Sequence, residues 1–110
     1  MNTKEPYKPQ PNQFVSNYDM GKMLYNRAVD KLTESKNISQ SDKNDCLDLF
    51  RQSIPYFNNA IKSFDTLDVD GQVANRTNLN YCLNALNTIY IRLDMYDELK
   101  PIKIRIEELR

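Results

Sequence analysis

Between Cys46 and Leu67 the chain repeats a packing residue every three or four positions: Cys46, Phe50, Ser53, Phe57, Ala60, Phe64 and Leu67. Only a helix of about 3.6 residues per turn gathers such a series on one face, because a strand needs alternation of period two. Leu47, Ile54 and Ile61 widen the stripe, which predicts contact with helices on two sides. The helix should begin at Ser41 or Asp42. Pro55 falls inside it and deletes the amide that would bond the Arg51 carbonyl, so a kink or a helix in two pieces is expected.

The rest of the chain follows the same period. A first helix is predicted from Ser16 or Asn17 to about Ser35, capped at its start by either side chain, with Asp19 favourable in the opening turn. Its apolar face is Met20, Met23, Leu24, Ala28, Val29 and Leu32, with Tyr25 alongside and Gly21 weakening it slightly. Asp68-Val69-Asp70-Gly71 reads as a turn. A third helix from about Gln72 to Leu93 turns Leu79, Cys82, Leu83, Leu86, Ile89, Tyr90 and Leu93 inward. A fourth, from Tyr96 to Leu109, carries Tyr96, Leu99, Ile102, Ile106 and Leu109 on one face. Pro101 stands near its opening turn, where proline is tolerated. The expected fold is all-α, in antiparallel hairpins. With 2 glycines and 5 prolines in 110 residues, the chain lacks the turn residues that an all-β protein needs every few positions.

The segment before Phe14 is polar and interrupted by Pro6, Pro9 and Pro11. It is read as an extended, flexible lead over residues 1–15, with the helical domain at 16–110. No stretch has the length and apolarity of a transmembrane helix, and the amino terminus has no apolar signal core. A cytoplasmic location is expected if the chain is whole, and a periplasmic or cell-envelope one if an export signal was removed.

Charge removes some functions from contention. Lysine plus arginine equals aspartate plus glutamate at 15 each, so nothing global draws the chain to nucleic acid or an anionic membrane. There is no histidine, the side chain best suited to proton transfer near neutral pH and the commonest metal ligand. Cys46 and Cys82 sit on apolar stripes and read as small buried hydrophobes, with a Cys46–Cys82 disulfide as the alternative. Asp68 to Gly71 echoes a calcium loop, but Thr66 and Thr77 would occupy the first and twelfth ligand positions, where an Asp or Asn and a bidentate Glu are needed. Asp45 and Asp48, Asp94 and Asp97, and Glu107 and Glu108 are scattered over polar faces. Asn37-Ile38-Ser39 and Asn75-Arg76-Thr77 match glycosylation sequons by letter only. No catalytic residue, cofactor or metal is expected.

Leu83, Leu86, Asn87 and Tyr90, followed by the corner Leu93-Asp94-Met95-Tyr96-Asp97, resemble the tetratricopeptide repeat (TPR), a helical hairpin of about 34 residues. The corner is similar to that family's Leu-Gly-Asp-Tyr-Asp connection, and Asn87 stands where glycine or alanine is usual. Upstream, Pro55-Tyr56-Phe57-Asn58-Asn59-Ala60 looks like the second helix of a preceding repeat, and Tyr25 to Val29 like part of its first. The wording resembles the C-terminal repeats of bacterial TPR proteins. Leu99 and Lys103 depart from the pattern, which has a small and an aromatic residue there.

The resemblance implies a right-handed stack of about four helices and a concave groove that binds a protein or peptide. Tyr81, Asn84, Thr88, Ile91 and Arg92 would line that groove. Asn84 and Arg92 suggest a clamp for a terminal carboxylate, but Ala85, Thr88 and Met23 leave it incomplete, so a helical or extended segment is the expected ligand. The expected function is a non-catalytic interaction module or scaffold. The alternative is a structural, oligomerising fragment of a larger bacterial envelope protein, self-associating through Ile102, Ile106 and Leu109. Two repeats are fewer than a repeat core usually needs.

Overall fold

A computed structural model describes residues 11–34 and 37–110, with side chains from Gln13 onward. It contains four helices, α1 (Pro11–Glu34), α2 (Gln40–Asp65), α3 (Val69–Arg92) and α4 (Tyr96–Glu108). Among the described residues there is no strand, so the all-α expectation holds. Each helix packs on the next along the chain, and α1 also touches α3.

The stripe of α2 is buried as its spacing requires: Cys46, Phe50, Phe57 and Ala60 are at most 1% exposed, and Ser53 is fully covered. The Ser53 hydroxyl donates to the Phe50 carbonyl at 2.6 Å, so a polar atom sits in the core without an unmet bond. Leu67 is half-buried in the turn beyond. Ser39, two or three residues before the expected start, is the N-cap, and its Oγ accepts the Asp42 amide at 3.1 Å. The helix runs unbroken through Pro55. Pro55 and Arg51 are both exposed, so water can take the carbonyl that proline leaves unbonded.

α1 departs furthest from the expectation. Residues 1–10 of the expected lead lie outside the described residues, while 11–15 belong to the helix. Proline is tolerated in a first turn, where its missing amide would have no helical partner. Phe14 then becomes fully buried and Tyr18 nearly so, whereas Met20 and Met23 are 37% and 45% exposed. Of the expected face, Leu24 and Ala28 are buried and Tyr25, Val29 and Leu32 half-buried, so the covered side keeps these, adds Phe14, Tyr18 and Gly21, and leaves out the two methionines. Asn17 does not cap; its Nδ2 donates to the Gln13 carbonyl from inside the helix.

The Asp68–Gly71 segment is a helix start instead of a free turn. Asp68 is the N-cap of α3, its Oδ1 accepting the Gly71 amide at 2.8 Å. At the other end, the Met95 amide bonds the Tyr90 carbonyl and the Asp94 amide the Ile91 carbonyl, with Asp94 at φ 58°. That pair of bonds is the Schellman arrangement, and its left-handed residue is usually glycine. Leu79, Cys82, Leu83, Leu86, Ile89 and Tyr90 are buried as expected, and Leu93 is half-buried. On α4, Leu99 and Ile102 are buried, Ile106 and Leu109 half-buried, and Tyr96 is 55% exposed.

Candidate functional site

The five residues expected to line a groove lie on α3, within one broad face of the helix, but in different surroundings. Tyr81 is half-buried at the α1–α3 seam. Its ring meets Tyr18 edge-on at 5.6 Å and Tyr25 at 6.2 Å, and its hydroxyl donates to Asn26 Oδ1 at 3.1 Å. Burial, with Tyr25, Tyr18 and Cys82 nearby, pushes the Tyr81 phenol up to about 12. Lys22 Nζ stands 5.4 Å from the Tyr18 ring centre and 5.5 Å from that of Tyr81, a cation held between two aromatic faces. Spacing within α3 could not reveal Lys22 or Asn26, because only the packing of α1 on α3 brings them to Tyr81.

Asn84 is exposed on the opposite border of the face, where it joins Asn87, Lys103, Ile106, Glu107 and Arg110 around a shallow depression between α3 and α4. Its Nδ2 donates to the Asn80 carbonyl. Thr88 is half-buried and Ile91 is 43% exposed. Arg92 reaches the other way, its guanidinium carbon 5.9 Å from the centre of the Phe50 ring. Asn84 and Arg92 therefore border different clefts.

Both cysteines are free and buried. Burial raises the thiol of Cys46 and pushes that of Cys82 up to about 12. Neither is poised as a thiolate at neutral pH. The carboxylates lie on the surface: Asp48 pairs with Arg51, Asp97 with Lys100 and Glu107 with Arg110 along their own helices. Among the described residues, Asp65 is the carboxylate that pairs across two helices, its Oδ1 2.7 Å from Arg105 Nη2 of α4. That hydrogen bond to Asp65 raises the Arg105 pKa. Among the described residues, no three His, Cys, Asp or Glu side chains are grouped to hold a metal ion.

A further cleft opens between α1 and α2, lined by Met20, Leu24, Gln52, Pro55, Tyr56 and Asn59. The expected self-association edge is reduced, since Ile102 is buried and Ile106 and Leu109 are half-buried against the core. The exposed apolar residue of α4's second half is Ile104, at 60%.

These features define an all-α protein of four sequentially packed helices whose third helix presents a mixed aromatic and polar face. No family model matches the chain, and no curated protein or solved structure matches it either. Among the described residues, no helix is long and apolar enough to cross a membrane.

Proposed function

We propose that this chain is a non-catalytic protein-interaction module of two TPR-like hairpins, α1–α2 and α3–α4, which holds an extended peptide segment along the outer face of α3. The observation that carries the reading is the seam at Tyr81. Its ring and hydroxyl, with Lys22 and Asn26 of α1, form one wall, and the half-buried Thr88 and exposed Ile91 lie further along the same face of α3. Amide, hydroxyl and aromatic groups of this kind suit a peptide backbone and its side chains. Two other features support the repeat reading. α1 touches α3 as well as α2, and Asp94 takes a left-handed conformation at the position where the repeat's corner carries glycine.

A peptide-array survey of the purified protein tests this, repeated with the surface variants Ile91→Asp and Asn26→Arg. The expected result is saturable capture of a defined set of segments, lost in both variants while their melting temperatures stay near that of the parent. Capture indifferent to both substitutions, or no capture at all, overturns it.

A further inference from the structure

At the end of the bundle where α1 finishes, α2 begins and α3 finishes, the packing leaves a cavity of about 170 Å³. Leu32, Lys43, Cys46, Leu47, Phe50 and Arg92 line it. Its inner wall is dry: Cys46 is 1% exposed and Phe50 fully buried. An apolar cavity of about 150 Å³ accepts a benzene molecule, so this one holds a single aromatic ring or a short alkyl chain.

The lining is also electrically one-sided. Arg92 stands over the Phe50 ring, Lys43 is the second cation, and no carboxylate is among the lining residues. Among the described residues, neither cation has a carboxylate within ion-pair distance. At Cys46, in the cavity wall, the exposed carboxylates Asp42 and Asp45 are opposed by Lys31 and Arg92. A ring or chain in the cavity would place a terminal anion against groups that can bond it through charge-assisted hydrogen bonds.

We propose that this cavity binds a small apolar carboxylate, an aryl or short alkyl acid, with its apolar part against Phe50, Leu32 and Leu47 and its carboxylate on Arg92 and Lys43. Arg92 is also the last residue of the candidate face of α3, but the cavity lies away from the Tyr81 seam, and either reading can fail without the other.

Titration of the whole chain with benzoate, benzyl alcohol and benzylamine, followed by backbone amide shifts, tests the proposal. Benzoate should give saturable shifts centred on Leu32, Cys46, Leu47 and Arg92, at least tenfold tighter than benzyl alcohol, with benzylamine weaker still. Arg92→Gln should bring benzoate down to the affinity of benzyl alcohol. Lys43→Gln, at an exposed position that leaves the core untouched, should weaken benzoate severalfold and serves if the Arg92 variant fails to fold. Equal affinity for the three compounds, shifts centred elsewhere, no saturable shift, or benzoate binding unchanged in a folded variant would each overturn it.

Discussion

Gly21 of α1 lies flat against the ring of Phe57 of α2, so close that a β-carbon on Gly21 would stand 2.9 Å from both Cδ1 and Cε1. Phe57 is fully buried, with Tyr25 and Tyr81 also against it, so its ring has little room to withdraw. In an exposed helix, Gly→Ala gains up to about 1 kcal/mol. Here the overpacking term, about 1–3 kcal/mol, should win. Gly21→Ala is expected to lower stability in denaturant unfolding, and Phe57→Leu should cost less in the Gly21→Ala background than alone. Additive costs would show that the ring does not set the approach of α1 to α2.

The start of α1 makes a separate demand. Because Phe14 is fully buried against Tyr18 and Phe64, Phe14→Ala should cost about 3–5 kcal/mol. Its neighbour Val15 is 41% exposed, and Val15→Ala should change stability by no more than about 0.5 kcal/mol. Equal, small effects at both positions would place residues 11–15 outside the folded core.

The α3–α4 corner carries a conformational cost that glycine can relieve. Asp94 holds φ 58°, a region that costs an L-residue roughly 1–2 kcal/mol. The hydrogen bond that its carboxylate accepts from the Tyr96 hydroxyl is exposed and offsets part of this. Asp94→Gly should therefore raise the melting temperature slightly, by a few degrees. It should also release the Tyr96 phenol, whose pKa is raised by that hydrogen bond to Asp94. A fall in the melting temperature would mean that the side-chain bond outweighs the backbone strain.

Pro55 tests the economy of a long helix. The α2 backbone is already helical around it, so Pro55→Ala restores the amide bond to the Arg51 carbonyl without moving the packed face. Removing proline from a helix interior is worth about 3 kcal/mol, less about 1 kcal/mol for the freer unfolded chain. A net gain of about 2 kcal/mol is expected in chemical denaturation. No gain would show that α2 is bent at Pro55 and that its packing depends on the bend.

Alkaline pH should destabilise the protein progressively. Burial holds the Cys82 thiol and the Tyr81 phenol at about 12, against about 8.5 and 10 in an unfolded chain. Between those values the native state keeps protons that the unfolded state loses, so stability falls as pH rises. The contribution is intact below about pH 8.5 and gone once the folded pKa near 12 is passed. Denaturant midpoints should drop steadily from pH 9 to 11, and Tyr81→Phe should flatten the upper half of that slope. A midpoint constant over this range would contradict the burial of both groups.

The period of three and four made α2, the inward face of α3 and the bounds of α4 legible without coordinates. Each is a long element whose large apolar side chains point one way. Helix starts were harder, because several adjacent polar residues can cap: Ser41 or Asp42 was the expected start of α2 where Ser39 is the cap, and Asp68, read as part of a turn, caps α3 through the Gly71 amide. Of the candidate face, the alignment of Tyr81 to Arg92 along α3 follows from spacing. That Tyr81 is tied to α1 while Arg92 overhangs Phe50 does not.

The amino-acid sequence alone, then, determined that this is a helical protein, where its hairpins turn and which side of α2 and α3 is covered, since helical period and side-chain apolarity are local properties. Only the tertiary structure decided the rotation of α1. Beside Leu24 and Ala28, which are buried, Met20 and Met23 extend the inner face as plausibly as Phe14, Tyr18 and Gly21 when α1 is read by itself. The choice between them rests on steric fit across two helices: Gly21 offers the hollow that the Phe57 ring fills, while Met20 and Met23 remain partly exposed to water.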